Sequence, residues 1–321
     1  MKIWRHLADF LTAHGAAAMI SVHDVKGSAP REAGARMAVR PDGAFHGTIG
    51  GGQLEMKMLA IAGEMFGQRQ FEARMVDQAL GPDLGQCCGG RVKILIETFD
   101  THDLAQVKRF AAAEDKGIFV LECRLDHGRV RREFSSSVGD DTWTEWRETH
   151  GENRTPLLLF GAGHVGRALV LALAPLPFAV RWFDSRPEAF PLHIPQNASA
   201  IRLKDPEAEI AGAPADAFVL VMTHDHPLDL AITAAALKRD FPYVGLIGSA
   251  SKRARFEKRF REIGIDRERI AALVCPIGVS GIADKDPAVI AASVTAQLLH
   301  MRERATSNLS PPIPPRDKSA P

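Results

Sequence analysis

Cysteine is scarce, with four in 321 residues and two of those adjacent. So few thiols in so long a chain make no disulfide framework, and a reducing, cytoplasmic setting is expected. The adjacent pair cannot supply the C-x-x-C spacing of a structural zinc site, and no matching pair occurs elsewhere. No apolar run has the length a bilayer needs, and Met1-Lys2-Ile3-Trp4-Arg5-His6 lacks a signal-peptide core, so no membrane role is expected. An excess of charge of either sign is missing too. The formal net charge of +1 gives no general attraction to nucleic acid. There is no internal repeat. What remains is 45% apolar and 25% charged residues, ordinary for a globular protein of about two domains.

The second half is organised around residues 156–184. Leu157-Leu158-Leu159-Phe160, bounded by Pro156 and a glycine, reads as a buried parallel strand. It turns through Gly161-Ala162-Gly163-His164-Val165-Gly166 into a helical segment stopped near Pro175, and a second apolar run, 178–183, ends at Asp184. Strand, G-x-G-x-x-G, helix, strand and acid in this order predict a Rossmann-type unit. Gly161 allows the tight turn, Gly163 the approach of a phosphate and Gly166 the packing of helix on strand, with His164 opening the helix whose amides face the anion. Further strands are expected at 199–203, 217–222, 243–247 and 271–274. One ends in Thr223-His224-Asp225-His226, another in Gly248-Ser249 at the start of a basic helix. Both places face the ligand crevice in such a sheet, and the Gly-Ser turn is a second plausible anion seat. His224 and His226 invite a metal reading, but Asp229 and Leu230 do not continue the required pattern. Lys252, Arg253 and Arg255 read equally well as a solvated face. Asp286-Pro287 opens a helix over 288–302, and disorder is expected for 304–321.

The first half predicts a mixed α+β domain over 1–134. A helix from Trp4 ends at His14-Gly15, and strands are expected at 17–25, 37–40, 45–49 and 92–98. A hairpin turns through 126–129. Three adjacent glycines, Gly50, Gly51 and Gly52, precede a helix that begins with Gln53 and Glu55. Such a run is costly unless backbone must approach something closely, and Ser28, Arg31 and Arg36 lie in the preceding loop with donors suited to phosphate. Cys87-Cys88-Gly89-Gly90 forms a bare, approachable stretch, with Arg91 and Lys93 able to favour thiolate. Cys123 alternates with Phe119, Leu121 and Leu125, which reads as a core position. Residues 135–155, dense in charge, read as a linker, although Trp143 and Trp146 point to docking.

The motifs Gly27-Ser28-Ala29-Pro30-Arg31, Gly47-Thr48-Ile49-Gly50-Gly51-Gly52-Gln53-Leu54-Glu55, Cys87-Cys88-Gly89-Gly90, Leu159-Phe160-Gly161-Ala162-Gly163-His164-Val165-Gly166, Thr223-His224-Asp225-His226 and Gly245-Leu246-Ile247-Gly248-Ser249 together resemble the XdhC/CoxI family of bacterial xanthine dehydrogenase accessory proteins. The resemblance spans roughly 4–302. It implies an accessory factor rather than an enzyme, a chaperone for the molybdenum cofactor. Such a protein holds the cofactor while a cysteine desulfurase sulfurates it, then delivers it to the molybdenum subunit of xanthine dehydrogenase. A homodimer is also implied. Many relatives carry cysteine where this chain has Gln53, so a sulfur ligand is expected from Cys87, Cys88 or Cys123, with Cys88 at the molybdenum. Arg31, Arg36 and the triple-glycine turn are expected at the phosphate or pterin, with Gln53 and Glu55 hydrogen-bonding it. The rival readings are an NAD(P)-dependent oxidoreductase using Gly161, Gly163, Gly166 and Asp184, a metal hydrolase at 223–229, and a scaffold without ligand. A nucleotide in the Rossmann crevice stays open beside the pterin.

Overall fold

The computed structural model describes residues 2–69, 71–81, 89–135 and 145–309. The chain divides into two compact units, Met1–Asn153 and Arg154–Pro321.

In the first unit, α1 (Ile3–His14) buries Trp4, Leu7, Ala8 and Leu11, one stripe at helical spacing. Gly15 adopts the left-handed conformation that ends it, its N–H bonding the Leu11 carbonyl. The chain continues through β1 (Ala16–Lys26), β2 (Arg36–Val39), β3 (Phe45–Gly47), α2 (Gly52–Gly67), β4 (Ala73–Ala79) and β5 (Arg91–Asp100). It then forms α3 (Leu104–Glu114), β6 (Phe119–Asp126), β7 (Arg129–Phe134) and β8 (Trp146–His150). Antiparallel pairing gives a five-stranded sheet, β3-β2-β1-β5-β4, and a three-stranded one, β7-β6-β8. Alternation along β1 splits the core in two. Ala18, Ile20 and Val22 face Leu54, Met58 and Ala62 of α2, whereas Ala17 and Met19 face α1 and α3.

Two expectations are corrected here. Part of the expected linker is strand: β8 pairs with β6 from Phe119↔His150 to Cys123↔Trp146. Trp143 lies outside the described residues. The reason is a buried polar network that made the segment look solvated. Arg132, on β7, reaches Glu97 of β5 through both terminal nitrogens (2.7 and 2.5 Å), and its Nε donates to Glu148 of β8 (2.9 Å). Trp4 Nε1 donates to His150 Nδ1 (2.9 Å), so His150 Nε2 carries the proton and donates to Glu148 (2.9 Å). Burial brings the His150 pKa down to about 4, keeping the ring neutral. Burial opposes ionisation of Glu148, but Arg132 and the His150 hydrogen bond outweigh it and hold this carboxyl well below its usual range. The second correction is β4, a strand the sequence did not announce. It lies at the sheet edge with much of its length exposed, so it lacks an apolar alternation.

In the second unit, β9 (Thr155–Phe160), α4 (His164–Leu173), β10 (Phe178–Asp184), β11 (Ala198–Arg202), α5 (Pro206–Ala211) and β12 (Phe218–Val221) follow in turn. Then come α6 (His226–Leu237), β13 (Tyr243–Leu246), α7 (Ala250–Glu262), α8 (Arg267–Ala271) and α9 (Pro287–Leu309). The sheet is parallel throughout, in the order β11-β10-β9-β12-β13. This is the doubly wound arrangement, with the strand order reversing at β9. The strand expected at 271–274 reduces to a single bridge, Gly245↔Val274. Helix α9 continues to Leu309, so disorder from 304 does not hold for its first residues; the remainder of the expected tail, 310–321, lies outside the described residues.

Candidate functional site

Three motifs that are far apart in the first-unit sequence meet at one end of its larger sheet. A Cβ on Gly90 would lie 2.1 Å from the Ser28 carbonyl oxygen, and one on Gly50 would lie 2.9 Å from Pro30 Cβ. The backbone at Gly90 therefore packs directly on the Ser28 segment, and the triple-glycine turn packs on Pro30. The pairing Lys26↔Arg91 brings the ends of both strands to the same edge. Gly51 and Gly52 have φ of 78° and 64°, and a Cβ on either would meet nothing within 4 Å. Their conformation demands glycine while the space beside them stays open. Ser28, Arg31 and Gln53 are exposed around this surface.

Glu55 has a different place from the one expected. It is buried, and its Oε1 accepts from the Thr48 hydroxyl (2.5 Å) and from the Ile49 and Gly51 amides (2.9 Å each). Burial would raise its pKa, but these hydrogen bonds prevail and hold it below the ordinary carboxylate range. Oε1 thus serves the turn itself. Arg36 is half-buried, with Nη1 on the Thr149 carbonyl (3.1 Å), and it lines a separate cleft with His23, Trp146 and Glu148. Burial pulls its pKa below the usual guanidinium value, against the opposing pull of Glu148. Cys123 is the core residue its alternation indicates, and not the sulfur ligand the resemblance allowed. It has no exposed surface, packs with Trp4, Leu7 and Leu121, and burial raises its thiol pKa, so it offers no thiolate. Cys275 is buried as well, its thiol likewise pushed up by burial. Cys87 and Cys88, and the molybdenum contact expected of Cys88, lie outside the described residues.

In the second unit, the expected residues gather at the carboxyl ends of the parallel strands. A Cβ on Gly161 would lie 2.3 Å from the Met222 carbonyl oxygen, and one on Gly166 would lie 2.2 Å from that of Gly161. Both glycines are required by the chain's own packing. Gly163 is not: it has an extended backbone, caps α4 without a side-chain bond, and a Cβ there would meet nothing within 4 Å. Asp184 closes the turn. Its Oδ2 accepts from the Ala162 amide (2.8 Å) and Arg186 Nη2 (3.0 Å), and its Oδ1 from the Arg186 amide and Nε (3.0 Å each). Burial opposes its ionisation, yet the Arg186 and Ala162 bonds keep its pKa low.

His224 and His226 are exposed, and Asp225 caps α6 by accepting from the Leu228 amide (3.2 Å). Among the described residues no group of three or more His, Cys, Asp or Glu is placed to hold a metal ion. Asp229 instead binds the Thr223 amide (3.0 Å) and hydroxyl (2.7 Å) and pairs with Lys252 (2.6 Å), both partners buried. Lys252 Nζ also donates to the Ile247 carbonyl (3.0 Å). Lys252 therefore leaves the solvated face expected for it and ties the Thr223 loop to the Gly248 turn, where Ser249 caps α7. Its spacing with Phe256 and Phe260, four residues each, was the available signal: a lysine on the apolar stripe. Arg132, in alternation with Val130 and Phe134, carried the same kind of signal.

A parallel nucleotide-binding type of sheet with an open glycine turn, preceded by an α+β unit whose glycine loops converge, defines a two-unit protein of Rossmann class. Residues 157–298 match the XdhC Rossmann domain, and residues 10–77 match the XdhC and CoxI family. The chain belongs to the XdhC/CoxI family. It is 26% identical over 308 residues to the molybdenum cofactor insertion chaperone PaoD of Escherichia coli K12, covering 94% of this chain and 88% of PaoD. It is 28% identical over 305 residues to the uncharacterized protein YqeB of the same organism, covering 91% of this chain but only 44% of YqeB. A crystal structure described as a xanthine dehydrogenase from Bacillus halodurans superposes with a TM-score of 0.76. It is 24% identical, with 96% of this chain and 98% of that one covered, and this likeness concerns the fold.

Proposed function

We propose that this chain is an accessory factor that carries the molybdenum cofactor, holds it while a cysteine desulfurase sulfurates it, and delivers it to a xanthine dehydrogenase-type enzyme. The observation that carries the reading is the convergence of the Ser28, Gly50 and Gly90 segments into one bare surface. The cargo has a phosphate, a hydrogen-bonding pterin and a soft metal–dithiolene end, and the residues present suit each part. Arg31, with the Ser28 hydroxyl, supplies donors for the phosphate. The open backbone at Gly51 and Gly52 admits the flat pterin, and Gln53 meets its polar edge. Glu55 sets the shape of the turn. With Cys123 and Cys275 buried, Cys87 and Cys88 are the thiols left for the metal or for a transferred sulfur. Likeness to PaoD supports the same reading. A cytoplasmic homodimer is part of the proposal.

The crevice of the second unit supports an accompanying proposal, a nucleotide seated against Gly163 and the amino end of α4, where no side chain caps the helix and space is open. The test is purification from cells that make the molybdenum cofactor, followed by assay of molybdenum, pterin and nicotinamide on the same sample. Pterin and molybdenum together are expected, with a marked loss in Arg31→Ala. A protein without pterin that retains nicotinamide and turns over a substrate would replace the carrier with an NAD(P)-dependent oxidoreductase.

A further inference from the structure

The sequence is nearly balanced in charge, but the second unit is not balanced locally. Helix α7 carries Lys252, Arg253, Arg255, Lys258, Arg259 and Arg261 against Glu257 and Glu262. Lys252 is neutralised by Asp229, Arg253 by Glu257 and Arg259 by Glu262. Arg255 and Lys258 are exposed and have no carboxylate partner among the described residues. They line an open groove of about 520 Å³ between α7 and the start of α6, together with Pro227, Leu230, Phe256 and the Arg259–Glu262 ion pair.

We propose that this groove docks an acidic, amphipathic segment of a partner protein, with an apolar side chain on Leu230 and Phe256 and carboxylates on Arg255 and Lys258. This groove belongs to the second unit and the convergent glycine loops to the first, and the inference does not depend on the cofactor reading. Three features select this occupant. The apolar floor suits a side-chain anchor, as in helix-in-groove recognition. A phosphate finds no seat at the amino end of α6, because the Asp225 carboxylate already accepts from the Leu228 amide there. The chain's own C-terminal stretch, with Arg316 and Lys318 against Asp317 alone, has the wrong sign. Cations on a groove rim steer an acidic partner and set the salt dependence of its binding.

The experiment uses the full chain and a fluorescent synthetic peptide with leucines on one helical face and glutamates beside them. A control peptide has glutamine in place of every glutamate. Saturable binding is expected, at least tenfold weaker for the Arg255→Glu/Lys258→Glu double variant and for the control peptide. The difference should shrink as salt rises from about 0.05 M to about 0.5 M, where the Debye length is a few Å. Arg255→Gln/Lys258→Gln gives the same comparison with a smaller charge change if the reversal impairs folding. No saturation up to about 1 mM peptide, the range of weak affinity, overturns the proposal. Equal binding by wild type and both double variants overturns it too, as does displacement of the peptide by inorganic phosphate or single-stranded RNA, or a groove closed by self-association in sedimentation. Pterin content is unchanged in these variants if the groove is only a docking surface, so failure here and failure of the carrier reading are read separately.

Discussion

Replacing Arg132 by methionine is the most informative perturbation of the first unit. The guanidinium is almost wholly buried between Glu97 and Glu148, making four hydrogen bonds of 2.5 to 3.1 Å. Removing it leaves two carboxylates facing each other in the core, and breaking a buried ionic group in this way costs about 3–5 kcal/mol. The sign of the pH dependence is distinctive. In the wild type Glu148 is held below its ordinary pKa, so its contribution is present above the unfolded value and is lost as pH falls through the folded one. In the variant Glu148 loses its compensation and shifts upward, and Glu97, whose carboxyl is already raised by burial in the wild type, shifts further. Their penalty is absent below the unfolded value of about 4.3 and grows as pH rises above it. Urea unfolding at pH 5 and pH 8, followed by circular dichroism, should show a much smaller deficit at the lower pH. A deficit under about 1 kcal/mol, or one that does not change with pH, would refute the account of this network.

Two further outcomes follow from the described geometry. Gly161→Ala and Gly166→Ala should each cost about 3 kcal/mol or more, from carbonyl overlap and, at Gly161, a φ of 118°. Gly163→Ala should stay within about 0.5 kcal/mol of wild type in thermal unfolding, and lowered nucleotide retention in that stable variant is the sign of a ligand at the turn. Timed alkylation read by mass spectrometry should leave Cys123 and Cys275 unmodified in the native protein and label both in urea, because both are buried with raised thiol pKa values.

Much of the second unit was legible in the sequence because its signals are local. An apolar run, a glycine turn and an acid at the end of the next run, 157–184, suffice to specify strand, crossover and strand. The first unit was legible in its elements but not in its assembly. Nothing near Ser28 states that Gly90 will pack on its carbonyl, since the pairing of β1 with β5 joins residues far apart in sequence. Strand β8 stayed hidden because Glu148 and His150, read as exposed, are buried by partners on α1, β5 and β7. Glu55 and Lys252 were misplaced for a related reason. Composition marks a charged residue as solvent-facing or ligand-facing, whereas an intramolecular partner turns it inward.

The Glu55 carboxylate has a consequence for the standing shape of the glycine turn. Because the bend around residues 48–51 is organised by an anion covalently part of the chain, the turn keeps its shape with nothing bound. Under the carrier reading proposed above, the surface would take a guest without a refolding step, and stray phosphate would find those particular amides taken. A carrier of the kind proposed above would draw on that permanence at every cycle of loading and release.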